Sequence, residues 1–131
     1  MPLTTARPWL IAVLLGLLTL SPAKAAGEWQ PWSPEVQAKA EKGDAQAQYI
    51  LGNCYGNGLG VAKDKVEAVK WYRLSANQGY ASGQADLADM YEYGKGIAKD
   101  MNEALRLYRL AADQGNDSAK KALDRLETVV P

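Results

Sequence analysis

Residues 43–78 and 79–114 are two copies of one unit, joined without a gap. Gly43 falls on Gly79, Gln48 on Gln84, Leu51 on Leu87 and Tyr55 on Tyr91. Gly58-x-Gly60 falls on Gly94-x-Gly96, and Ala62-Lys63-Asp64 on Ala98-Lys99-Asp100. Tyr72-Arg73-Leu74 falls on Tyr108-Arg109-Leu110, and Gln78 on Gln114. In all, 17 of the 36 positions are identical. A period of about 20–50 residues means stacked supersecondary units rather than one closed core. Stacked units present extended surfaces, so the expectation shifts from catalysis to binding.

Each copy reads as helix, loop, helix. Apolar residues three and four apart (Ala47, Leu51, Cys54, Tyr55, then Leu87, Met90, Tyr91) predict first helices over about 45–56 and 81–92. Gly58 and Gly60, or Gly94 and Gly96, supply a loop that needs positive φ. Asp64 and Asp100 then open a second helix, and Glu67 and Glu103 three residues on make the pattern of a capping box. Arg73 and Arg109 come late in that helix, where cations suit its dipole. Gly79 and Gly115 stop it. Ala68, Ala76, Ala104 and Ala112 let helices approach, and Tyr72 and Tyr108 fill the space between them. The aromatic stripe therefore reads as core.

The flanks continue the pattern. Ser33-Pro34 starts a helix through about Lys42, with Ser as N-cap and Pro in the first turn. Ala40 aligns with Ala76, which makes 34–42 the second half of a unit. Residues 115–127 repeat the first-helix pattern, with Ala119 and Leu123 on Ala47 and Leu51. Half a unit, two units and half a unit give six helices, with the half units as caps. Residues 26–33 form a lead-in whose Trp29 and Trp32 are expected to pack back on the first helix, with partner docking as the alternative. Residues 128–131 form a tail.

Near the start, Arg7 precedes an apolar run from Leu10 to Leu20, and Ala23-Lys24-Ala25 is a small-x-small site. Residues 1–25 read as a secretory signal, because an eleven-residue run falls short of the roughly 20 needed to span a bilayer. Without Arg7 and Lys24, the chain falls from 15 basic and 15 acidic residues to 13 and 15, a net of −2. That charge attracts no nucleic acid, and no basic stripe holds a membrane surface. Cys54 is the single cysteine, so no internal disulfide forms. It occupies the apolar position of Met90 and reads as a buried hydrophobe.

The unit Ala-x-Ala-Gln-Tyr-x-Leu-Gly-x-x-Tyr-x-x-Gly-x-Gly-Val-x-x-Asp over Ala45–Asp64 resembles the Sel-one-like repeat, a relative of the tetratricopeptide repeat. The continuation Ala68-x-x-Trp71-Tyr72-x-x-x-Ala76-x-x-Gly79 does too. The resemblance covers about 34–127 and implies an all-α, short right-handed α-solenoid of antiparallel helix pairs. It also implies an adaptor, scaffold or regulator role, and an exported, periplasmic setting. Three residues depart from the pattern. Ala88 replaces the glycine at Gly52, and Gly83 replaces the alanine at Ala47. Tyr80 stands where a capping residue such as Asp44 or Asn116 belongs, which predicts a ragged start to the second copy or a Tyr80 exposed for contact.

The resemblance further implies that the first helix of each pair lines a concave groove. Carried over by position, the groove residues are Gln46, Tyr49, Asn53 and Asn57. The second copy contributes Ser82, Ala85, Asp89, Glu92 and Tyr93, and the last helix Ser118, Lys121 and Arg125. An acidic patch (Asp86, Asp89, Glu92) is expected beside a basic one (Lys120, Lys121, Arg125), suited to a peptide of mixed charge. Asn53 and Tyr93 are the leading candidates, and replacing both with Ala is expected to weaken binding without unfolding.

The partner expected is another protein, with self-association end to end as an open alternative. A periplasmic immunity protein or inhibitor neutralising an effector is a second role. A binder of cell-wall fragments or small ligands, with weak hydrolase activity, is a third. No cofactor is expected, and no enzyme. With no histidine, Ser-His-Asp and Cys-His chemistry and the commonest metal ligand are absent. Ser118-x-x-Lys121 lacks the companion motifs of penicillin-recognising enzymes. A carboxylate pair among Asp86, Asp89 and Glu92 would need burial to shift one pKa, and nothing in the sequence indicates it.

Overall fold

A computed structural model describes residues 32–129. The segment read as a signal, 1–25, and Trp29 in the lead-in lie outside the described residues. Six helices and no strand occur among those described: α1 (Pro34–Glu41), α2 (Ala45–Asn57), α3 (Lys65–Asn77), α4 (Ala81–Tyr93), α5 (Met101–Asp113) and α6 (Asp117–Glu127). Each helix packs chiefly on its neighbours in the chain, as in an α-solenoid of antiparallel pairs.

Local chemistry sets the ends of these helices. The side chains of Ser33, Asp44, Asp64, Asp100 and Asn116 each accept a first-turn backbone N–H, satisfying donors the helix cannot. Gly58 and Gly94 end α2 and α4 at φ of 69° and 64°, a region open to glycine. The expected capping boxes form only in half. Asp64 accepts from Glu67 N at 3.0 Å, but its own N–H already donates to the carbonyl of Tyr55 at 2.8 Å. Asp100 does likewise toward Tyr91 at 2.9 Å. The glycine loop leaves no orphan donor for the glutamate, so Glu67 and Glu103 pair with Lys70 and Arg106 one turn on. Neither α3 nor α5 has a basic residue in its last turn, and Arg73 instead donates to the Tyr91 hydroxyl at 3.2 Å.

Tyr80 also differs from expectation. It makes no side-chain cap, yet α4 begins cleanly at Ala81. The half-buried Tyr80 ring packs 5.5 Å from that of Tyr49, so packing replaces capping.

Ala68, Tyr72, Leu87, Ala104 and Tyr108 are buried in a core that runs through both copies. Burying an aromatic or aliphatic side chain contributes about 1.5–3 kcal/mol, and here the pattern supplies that twice. Tyr72 lies so close to Gly52 that a Cβ there would stand 2.5 Å from its ring. A second cluster joins Ala40, Ala47 and Leu51 to Trp32, Val36, Tyr55 and Trp71. Trp32 thus folds back on the stack, and its indole N–H donates to Gln37 at 3.2 Å. Cys54 is fully buried, and burial pushes its thiol pKa up. No described helix is long and apolar enough to cross a membrane.

Candidate partner-binding face

α2, α4 and α6 occupy equivalent places in successive units, so their side chains can be compared position by position. The packing positions keep their character: Leu51, Leu87 and Leu123, and Ala47, Gly83 and Ala119. A neighbouring face does not. There Gln46, Ser82 and Ser118 share a position, as do Tyr49, Ala85 and Lys121, then Asn53, Asp89 and Arg125, then Asn57 and Tyr93. Packing alone does not fix the residue type at these positions.

The structure sorts these candidates. Gln46, Asn57, Asp89, Tyr93, Ser118, Lys121 and Arg125 are exposed, and Tyr49, Asn53 and Ser82 are half-buried. Ala85 is buried in the core, so it is no groove residue; its methyl faces inward on α4. Gln46 borders a separate cavity of about 210 Å³ with Val36, Lys39 and Ile50.

Asn53 serves the fold as well as the surface, since its Oδ1 accepts from the Tyr72 hydroxyl at 2.7 Å. Replacing it with Ala would leave that buried hydroxyl unpaired and cost about 1–3 kcal/mol. A double variant carrying that change therefore does not separate binding from folding.

Glu92 is 4% exposed and holds Arg125 through both oxygens, at 2.8 and 2.9 Å. It also accepts from the Tyr108 hydroxyl at 2.7 Å. The Arg125 hydrogen bond, with help from Tyr108, holds its carboxyl below the usual glutamate range. The expected acidic patch beside a basic patch is thus partly cancelled within the chain: Glu92 and Arg125 neutralise each other.

Asp86 and Asp89 remain, and no cation among the described residues pairs with either. Asp89 accepts from the Tyr108 hydroxyl. The half-buried Asp86 carboxyl is pushed up to about 6, first by burial and then by the charge of Asp89, against a hydrogen bond from Tyr49. Burial of this carboxyl, which the sequence did not indicate, is therefore present. Both described cavities lie elsewhere, the larger, about 420 Å³, against Met101, Leu105, Leu126 and Val129. Tyr49 and Tyr72 stand near Asp86, and the Tyr49 ring lies 6.1 Å from that of Tyr72 and 5.5 Å from that of Tyr80. Farther along, Tyr93 is 54% exposed and Lys95 Nζ lies 5.0 Å over its ring. The three acids form no metal-holding group among the described residues.

A helix-face reading finds the exposed members of this set; it misses the buried glutamines that join the units. Gln48 and Gln84 are 4% and 5% exposed. Their identity in both copies was the available signal.

The family model described as Sel1 repeat matches residues 45–80 and 81–116. Its frame starts two residues after the one used above, at the first residues of α2 and α4. A solved Sel1 repeat protein from Oxalobacter formigenes is 41% identical, covers 69% of this chain and 68% of its own, and superposes with a TM-score of 0.68. A protective antigen of uropathogenic Escherichia coli displaying an SLR fold is 44% identical over 67% of this chain, with a TM-score of 0.66. This chain spans 19% of the length of that antigen. Helicobacter pylori cysteine rich protein B shares the fold at 24% identity and a TM-score of 0.63, over 66% of this chain and 65% of its own. No curated protein matches the chain.

Proposed function

Because this chain belongs to the Sel1 repeat family, whose repeats are generally protein–protein interaction modules, we propose that it binds another protein through the face of α2, α4 and α6. The observation that carries this reading is the contrast within the chain. Packing positions are held from unit to unit, while the exposed Gln46, Asn57, Tyr93 and Lys121 each differ from their equivalents in the other units. Exposed tyrosine on a rigid helix is an economical anchor for a partner.

The adaptor or regulator role is favoured over an immunity role because it asks only for a binding face. Export to the periplasm rests on the signal pattern of residues 1–25. A hydrolase would need substrate enclosed around a tuned acid. Asp86 offers the acid, but the described cavities lie away from it, so we read the protein as a non-enzymatic binder.

The test is capture of partners from the envelope fraction of the source cells, with wild type and the triple variant Asn57→Ala, Tyr93→Ala, Lys121→Ala. All three side chains are exposed, so the variant should fold. One stoichiometric protein retained by wild type and lost from the folded variant is the expected result. Equal capture by both would show that partners bind elsewhere.

A further inference from the structure

The two halves of the α2–α4–α6 face carry the same side-chain types and differ in what occupies them. Toward α6, each acid and ring has a cation from within the chain: Arg125 grips Glu92 through both oxygens, and Lys95 lies over the Tyr93 ring. Toward α2, Tyr49 and Tyr80 meet at 5.5 Å, Tyr49 hydrogen-bonds to Asp86, Asp89 stands one turn on along α4, and no cation among the described residues pairs with either acid. A partly buried carboxylate with no cation is costly to keep. Guanidinium answers both parts of such a site, since it pairs with carboxylate in a fork and stacks on aromatic rings.

We propose that the α2–α4 half of this face seats an arginine side chain of the partner protein, lodged against the Tyr49 and Tyr80 rings and paired with Asp86 and Asp89. This rests on the protein-binding reading above and adds the chemistry of the contact. Arg125 on Glu92 is the pattern for it, already formed one turn along the same helix. The oxygens needed are there. Asp89 uses only its Oδ1, on a Tyr108 hydroxyl proton that it shares with Glu92, and Tyr72 spends its hydroxyl on Asn53 rather than on either acid. The raised Asp86 carboxyl supports the reading, because an approaching guanidinium would favour its charged form. Lysine would fit less well, as a point charge that cannot fork across two carboxylates.

The test is a titration of the full chain with acetyl-Gly-Arg-Gly-amide, followed by backbone amide shifts. The citrulline tripeptide, which keeps the shape and lacks the charge, is run beside it. Saturable shifts confined to residues around Tyr49, Tyr80, Asp86 and Asp89 are expected for arginine. Affinity should fall about tenfold or more with citrulline, and equally in Asp86→Asn/Asp89→Asn. That variant preserves shape, and asparagine already stands at the position equivalent to Asp89, as Asn53. Lys70→Ala, an exposed change on α3 away from this face, should leave the arginine titration unchanged. Equal binding of citrulline, or shifts spread over every exposed acid, would overturn the proposal without needing any variant. So would a natural partner that is lost from the Asn57/Tyr93/Lys121 variant yet captured undiminished by Asp86→Asn/Asp89→Asn. That last outcome keeps the binding face and discards its arginine chemistry.

Discussion

The side-chain amide of Gln78 donates to Oε1 of Gln48 at 2.8 Å, tying the end of α3 to the first turn of α2. Gln114 does the same to Gln84 at 2.9 Å. Each accepting glutamine also donates backward, Gln48 to the carbonyl of Ala40 at 3.1 Å and Gln84 to that of Ala76 at 3.4 Å. One buried amide thus holds two successive second-helix ends, and the arrangement recurs with the repeat.

Gln84→Ala should cost about 1–3 kcal/mol, because it removes a buried amide that bonds both the Ala76 carbonyl and Gln114. Gln114→Ala, at an exposed position, should cost less. A double-mutant cycle by urea denaturation should give a coupling of about 0.5–1.5 kcal/mol. Strict additivity would mean the contact contributes nothing.

Gly52→Ala should destabilise by about 1–3 kcal/mol through overpacking against Tyr72, only partly offset by about 1 kcal/mol of helix propensity. At the equivalent place Ala88 is tolerated and fully buried beside Tyr108, so Ala88→Gly should lose about 1 kcal/mol. Opposite preferences at one repeat position are the expected result, read from midpoints of chemical unfolding.

How far the sequence discloses this molecule follows from the same residues. Helix starts, stops and the identity of the core depend on local chemistry and spacing, so Asp44, Gly58, Leu51 and Tyr72 announce their roles twice. The state of Glu92 does not, because its burial depends on Arg125, thirty-three residues away, reaching across from α6. Asn53 likewise looked like free surface until Tyr72 was seen to need it. Tyr80 failed as a cap and succeeded as a packing partner of Tyr49, a contact between helices that no local pattern encodes.

Asp86 should make the fold more stable in mild acid than at neutrality. Its folded pKa, about 6, lies above its ordinary value of 3.8, so the folded state binds the proton more tightly and loses stability as pH rises from about 4 to about 6. That shift corresponds to roughly 3 kcal/mol at most, which solvent at a half-buried site screens to about 1–2 kcal/mol. Asp86→Asn should be the more stable protein at pH 7, with a flatter profile above pH 4. Glu92, whose folded pKa is lowered, acts in the opposite sense and loses its contribution as pH falls through that value. Thermal unfolding from pH 3 to 8 on both proteins separates the two.

Arg125→Ala should loosen α6, since Glu92 is then buried without its cation. Hydrogen exchange is the direct readout: amides of α6 should exchange about tenfold or more faster, while those of α2 hold their rates.

Self-association end to end should be absent. Lys39 stands at the position of the buried Ser75 and Ala111, and Asp124 at that of Gly52 and Ala88. Stacking a second copy in register would place both charges at contact positions that elsewhere hold small, buried residues. Light scattering on a sizing column should return the monomer mass at micromolar concentration, and a concentration-dependent rise would refute this.

The lone thiol has a use that no disulfide-bearing solenoid could offer. Cys54 sits at zero exposure in the first unit, so a thiol-reactive dye in solution reacts only in the moments when that unit opens. Labelling rate becomes a clock for the breathing of one repeat within an intact stack. A bound protein that clamps the face should slow the clock.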